Sequence, residues 1–189
     1  LLAQKGSKEI KMLENVKTPC YVIDEGKLIK NLEILKEVEQ RSGCHILLAQ
    51  KCYSAYKTYP LIAQYISGCT ASGIFEARLG FEEMGKENHV FSPAYSAEDF
   101  SELVKICDHI SFNSFSQWEK HKKTALEAGV SCGIRINPEC STQEGHEIYD
   151  PCSFGSRLGV TLENFREDLL DGIEGLHFHT LCEQNADAL

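Results

Sequence analysis

The feature that most constrains this chain is a rhythm. From His45 onward, short apolar runs alternate with longer segments of helical period. His45–Gln50 reads as a strand and Ser54–Ile66 as a helix. Cys69–Ser72, His89–Ser92, His109–Asn113 and Cys132–Asn137 read as further strands. Between them, Phe75–Met84, Ala97–Cys107 and Gln117–Ala128 read as helices. A polar loop then runs to Phe154, Leu162–Leu170 reads as a helix, and Ile173–His179 is the sixth strand. Strands that alternate with helices mean parallel βα units. A closed eight-stranded barrel takes about 250 residues, and this chain has 189. Two architectures therefore remain open: a complete six-stranded open sheet, or a parallel (β/α) TIM-type barrel with about six of its eight strands.

The residues before His45 are organised differently. Residues 1–13 read as a mobile leader, and 14–43 as an N-terminal strand and helix ahead of the partial barrel, 44–189. The strand is Cys20–Ile23, entered through Pro19, where proline is tolerated. The helix carries Leu28, Ile29, Leu32, Leu35 and Val38 at helical spacing and is closed by Gly43. The pentad LLAQK occurs twice, at 1–5 and 47–51. Only the second copy ends an apolar strand and precedes a βα unit.

Composition excludes several classes. The hydrophobic share of 42% and charged share of 25% suit a globular domain. No apolar run approaches the roughly 18 residues of a membrane helix, and the N-terminus shows no signal-peptide pattern. A net charge of −9 argues against nucleic acid, whose phosphates select basic faces, and is compatible with a cationic substrate. The nine cysteines form no CxxC pair. They read as reduced thiols of a cytoplasmic protein, with Cys44, Cys69 and Cys132 in strand-like runs. No dinucleotide fingerprint, phosphate loop, GxSxG or HExxH occurs.

Ligands of parallel βα folds bind at the carboxyl ends of the strands. Ionisable and polar groups gather there: Lys51, Ser72, Ser92, Asn113, Arg135, Asn137, His177 and His179. Lys51 is the sharpest candidate. Lysine ionises near pH 10.4, and desolvation at a strand end would lower that value and make the amine a nucleophile for a Schiff base. The alternative is a snorkelling surface lysine. His177 and His179 share one strand face, with Leu176 and Phe178 toward the helices. They suit either a metal, with Cys182 or Glu183 nearby, or a planar ligand. Arg135, opposite Ile134 and Ile136, points inward and needs an anion or a structural carboxylate partner. Loop 138–154 carries Glu139, Glu144, Glu147 and Asp150, either as solvated charges or as contacts for a polycation.

Four segments together resemble one family. They are TPCYVID (18–24), LLAQKCYS (47–54), RINPE (135–139) and GLHFHTLCEQ (175–184). They resemble the fold-type III pyridoxal-phosphate (PLP) decarboxylases, whose barrel is alanine racemase-like. Within that family, INPECSTQEGHEIYDPCSFGSRLGV and HFHTLCE look most like the branch that decarboxylates carboxynorspermidine and carboxyspermidine to norspermidine and spermidine. Diaminopimelate decarboxylases usually show HIGSQ where this chain has His179-Thr180-Leu181-Cys182-Glu183. The resemblance implies a lyase of polyamine biosynthesis with PLP as cofactor and no metal. Lys51 would carry PLP through a Schiff base. His179 would stack on its ring, Arg135 would lie near the ring, and Ser72 and Glu76 would support the site. It further implies a cytoplasmic homodimer with a small cationic amino-acid substrate and neither nucleic-acid nor membrane partners. Cys182 stands where the family often has a serine near the phosphate. The family's glycine-rich phosphate loop, pyridine-nitrogen acid and C-terminal β-domain do not occur here, so the expectation is an incomplete and inactive enzyme as the chain stands. The rivals are a decarboxylase of diaminopimelate or another basic amino acid, a non-catalytic PLP-binding barrel, and a cofactor-free Schiff-base barrel.

Overall fold

A computed structural model describes residues 16–143, 147–182 and 184–188. The leader 1–13, Glu144 and Glu183 lie outside them, as does the side chain of Glu147. Six parallel strands form one sheet in sequence order. They are β1 (Leu47–Ala49), β2 (Gly68–Ala71), β3 (Glu87–Phe91), β4 (His109–Phe112), β5 (Ser131–Arg135) and β6 (Gly175–His177). The helices are α1 (Glu25–Ser42), α2 (Tyr59–Ile62), α3 (Ile74–Glu83), α4 (Ala97–Ile106) and α5 (Phe115–Ala128). Sequential parallel order is the arrangement of a (β/α) barrel wall, and the partial barrel is what the structure shows.

The helices start and stop where local chemistry dictates. Asp24 accepts a hydrogen bond from the Lys27 N–H at the start of α1, and Gly43 ends that helix with φ of 72°. Ser96 and Ser114 cap α4 and α5 in the same way. Such caps satisfy N–H groups that have no partner within the helix.

Strand alternation sends one set of side chains to the helices. Val90, Ile110, Phe112 and Ile134 pack there against Phe100, Leu103 and Trp118 in the larger core. A second cluster joins α1 and α2 to the first strands through Leu32, Tyr59, Ile62, Ile66, Cys69 and Met84. One buried polar side chain ties these layers. Asn88 Nδ2 donates to the carbonyls of Ala77 and Ile106 at 2.8 and 2.9 Å, and its backbone N–H donates to Asp108 Oδ2.

The structure corrects several sequence expectations. Residues 54–66 are not one helix but a 3-10 turn, Tyr56–Thr58, followed by the single turn of α2 with Pro60 inside it. Residues 162–170 form two 3-10 turns with Phe165 and Arg166 extended between them. Tertiary packing decides this: Phe165 sets its ring against Phe115, and Trp118 Nε1 donates to the Leu169 carbonyl at 3.0 Å. Residues 20–23 are extended but pair with no strand, and Tyr21 is fully exposed. Cys44 is exposed rather than in a strand, whereas Cys69 and Cys132 are buried as expected.

Gly68 faces Glu87 across the β2–β3 pair, and a Cβ built there would lie 2.0 Å from the Glu87 carbonyl oxygen. Gly68→Ala should therefore destabilise the fold by about 1–3 kcal/mol or more. The readout is a lowered midpoint in urea; an unchanged midpoint would show that the two strands do not approach this closely.

Candidate active site

The concave face is built from the strand residues that do not meet the helices. The parallel register places Ala49, Thr70, His89, His109 and Ser131 side by side across five strands. Two residues further along come Phe91, Ser111, Gly133 and Gly175, then Arg135 beside His177. A cavity of about 540 Å³ runs along this face, lined among others by His89, Phe91, His109, Ser111 and His177.

Arg135 is the buried cation of the site, with 5% of its surface exposed. No carboxylate among the described residues lies within ion-pair distance of it. Its guanidinium sits over the Phe91 ring at 4.6 Å, and its Nε has no hydrogen-bond partner. The structural ion pair left open by the sequence is thus replaced by a cation–π contact. Burial pulls the Arg135 guanidinium below its ordinary value.

His177 is fixed on two sides. Ser111 Oγ lies 3.0 Å from its Nδ1, and the Phe91 ring meets its ring edge-on at 4.8 Å. Burial, helped by the positive charge of Arg135, by His179 and by Lys51, lowers its pKa to about 4. Burial, Arg135 and Lys51 lower His179 in the same direction. These couplings place Lys51, Arg135, His177 and His179 in one neighbourhood at the ends of β1, β5 and β6. Leu176 and Phe178, expected against helices, are instead more than half exposed, because no helix covers β6 among the described residues.

Lys51 departs from its expected setting. It follows β1 in a turn and is exposed, not dry; β1 is the first strand of the sheet and has a neighbour on one side only. Ser72 and Glu76 are engaged with each other at the end of β2. The Ser72 N–H donates to Glu76 Oε2 at 2.6 Å, which replaces a side-chain cap that Gly73 cannot supply to α3. His177 and His179 form no metal-ligating group with Cys182 among the described residues.

The loop after β5 folds back over the strand ends. Asn113 accepts from the Gly159 N–H and donates to the Arg157 carbonyl, and Val160 bridges to Ile136. Gly159, at φ of 88°, passes so close that a Cβ would meet the Ile136 carbonyl carbon at 2.8 Å. Glu139 is held at φ of 53° while its N–H donates to Asn137 Oδ1; a non-glycine residue in that region is strained, and such strain concentrates at functional sites. Sequence reasoning missed Phe91 and Ser111 as parts of the site. The signal was present, since both lie two residues beyond the histidines that face the cavity, on the same strand face.

No family model matches the chain. It is 42% identical over 176 residues to a carboxynorspermidine/carboxyspermidine decarboxylase of Campylobacter jejuni, covering 93% of this chain and 45% of that protein. It is 37% identical over 177 residues to a carboxyaminopropylagmatine decarboxylase of Synechocystis, covering 94% and 46%. The crystal structure of carboxynorspermidine decarboxylase with norspermidine from Campylobacter jejuni superposes with a TM-score of 0.80 at 38% identity, covering 92% and 44%. SrLDC in complex with PLP and cadaverine shares the fold at a TM-score of 0.65 and 18% identity, covering 94% and 44%. The chain spans a little under half the length of the relatives it matches. The resemblance read from its motifs is borne out over nearly all of this chain.

The depressed His177 makes the fold sensitive to acid. Above pH 6.5 both folded and unfolded chains carry it neutral. Between 6.5 and about 4 the unfolded chain binds a proton that the folded chain refuses. Stability should therefore fall as pH drops through that window, and His177→Gln should flatten the dependence. Urea midpoints measured across the window check this; an equal slope in the variant would remove His177 as a cause.

Proposed function

We propose that this chain forms the lysine-bearing barrel portion of a PLP-dependent decarboxylase that converts carboxynorspermidine and carboxyspermidine to norspermidine and spermidine. The observation that carries this reading is the convergence of Lys51, Arg135, His177 and His179 at the carboxyl ends of adjacent barrel strands. The 42% identity to a protein of that activity supports the choice of reaction.

The residues present fit the cofactor. Lys51 keeps an accessible amine. Arg135 holds an unpaired Nε in a buried setting, and an anionic planar ligand suits a mouth carrying two cations. Lys51 would hold PLP covalently, His179 would stack on its ring, and Arg135 would lie beside the ring. Bound PLP supplies an electron sink for the pair released when carbon dioxide leaves. Arg135 and Lys51 keep both imidazoles neutral, so the histidines present uncharged ring faces instead of further positive charge. Phe91 and Ser111 fix His177 and so hold that wall of the site rigid. Ser72 and Glu76 shape the end of β2. The exposed Glu139 carboxylate suits a cationic amine of the substrate.

The nine cysteines are all free in the structure, which supports a cytoplasmic setting. No helix among the described residues is long and apolar enough to cross a membrane, and the excess of acidic residues disfavours nucleic acid. A homodimer fits the exposed apolar residues Tyr21 and Phe154 and the unpaired extended segment 20–23. A second reading, decarboxylation of carboxyaminopropylagmatine, rests on the 37% identical relative.

Borohydride reduction after incubation with PLP should leave a pyridoxyl group on Lys51, located by peptide mass spectrometry. Lys51→Ala should abolish that label and reduce carbon dioxide release from carboxynorspermidine by orders of magnitude, while Lys5→Ala should change neither. A label on a different lysine would overturn the assignment, and faster turnover of carboxyaminopropylagmatine or diaminopimelate would transfer the function to that substrate.

A further inference from the structure

A second cluster of ligating side chains lies on the same concave face, near the opposite ends of the strands. Glu87 and His89 are two residues apart on β3 and share a face. His109 on β4 pairs directly with His89. One ligand atom from each of the three comes within 4.8 Å of the other two. His89 Nε2 lies 3.2 Å from Glu87 Oε2, close to the edge of about 3.3 Å that two ligands span around a tetrahedral ion with bonds near 2.0 Å. The two imidazole rings sit 4.1 Å apart and tilted by 36°, so small side-chain rotations aim both at one point.

The support around this trio is that of a built site. Glu87 Oε1 faces His45 Nδ1 at 2.7 Å, which leaves Oε2 on the histidine side. Partners that orient a ligating carboxylate in this way are a regular part of metal sites. His109 is solvent-exposed, leaving room for water to complete the coordination. The cluster is separate from the Lys51–Arg135 mouth. Ser131, beside His109, stands four residues before Arg135 on β5, about 13 Å at the rise of a strand. The Phe91 ring fills the layer between them.

We propose that Glu87, His89 and His109 form a divalent-metal site near the amino-terminal ends of β3 and β4, taking zinc or a similar borderline cation. Two imidazoles and one carboxylate with positions open to water match the preferences of that class. The ion would fasten β3 to β4 beneath the mouth, and His45 acts as a positioning residue through Glu87. This inference does not depend on the reaction proposed above.

The test is titration of the purified chain with cobalt(II) and zinc, followed by visible spectroscopy, a chelator competition and a thermal melt. We expect one equivalent bound, a cobalt spectrum of tetrahedral nitrogen and oxygen ligands, and a raised Tm. His109→Gln and Glu87→Gln should each weaken binding at least tenfold, and His45→Ala by about 10-fold, whereas His177→Gln should leave it unchanged. Circular dichroism reports whether each variant folds. If His109→Gln fails to fold, Glu87→Gln carries the test, because it keeps the side-chain shape and removes only the charge. Less than one equivalent, binding that survives Glu87→Gln, a thiolate charge-transfer band from the free cysteines, or loss in His177→Gln would each overturn the site.

Discussion

Everything in this molecule depends on the parallel registration of six short strands. A strand reverses its side chains at every residue, so a common register sorts the whole sequence by parity. Val90, Ile110 and Ile134 go to the helices, and His89, His109, Phe91, Ser111 and Arg135 go to the cavity. No residue of the concave face is placed by its own propensity. A slip of one position would bury Arg135 among Phe112 and Trp118 and turn Ile134 into the mouth.

Two kinds of buried polar group follow from that sorting, and their hydrogen bonding separates them. Asn88, on the helix side, has its side-chain amide nitrogen engaged by two carbonyls and its backbone N–H by Asp108. It is a structural tie and leaves little for a ligand. Arg135, on the cavity side, keeps its Nε unpaired and rests on an aromatic face. Leaving such a donor without a partner is costly, and here no carboxylate among the described residues relieves it. The positive charges of Arg135 and Lys51 then determine the state of their neighbours. His177 is held to a pKa of about 4, with burial as the largest cause and those charges adding to it.

Strand positions and the three long helices after β2 were legible in the sequence because their signals are local: period, caps and the glycines that end them. The errors arose where a distant contact decides. Residues 162–170 carry a helical pattern, yet Trp118 and Phe115 draw Leu169 and Phe165 inward and break it into two turns. The segment 54–66 contains Pro60, which limits regular helix to one turn. Residues 20–23 have strand character and no strand beside them. The parity of His177 and Arg135 was readable, but the environment of Lys51 was not. Desolvation depends on what stands beyond β1, and no periodicity within the strand encodes that. Phe91 and Ser111 share the same parity as the histidines and were overlooked only because neither is a chemically conspicuous residue.

The position of the site within the sheet also limits which residues can choose a substrate. The relatives of this chain are named for carboxynorspermidine, carboxyspermidine and carboxyaminopropylagmatine. These molecules share the end that loses carbon dioxide and differ at the other. Groups at the reacting end interact equally with all of them, and equal interactions cannot discriminate. By that reasoning Lys51, Arg135 and His179 belong to the common chemistry. Discrimination falls to residues that reach the far end. Within this chain the loop after β5 is the element built for that, since Asn113 and Gly159 pin it over the strand ends while Glu139 is held in a strained backbone with its carboxylate free in solvent. A scaffold that keeps its reacting groups on strands and its recognition groups on a tethered loop can change substrate without disturbing the register on which the reacting groups depend.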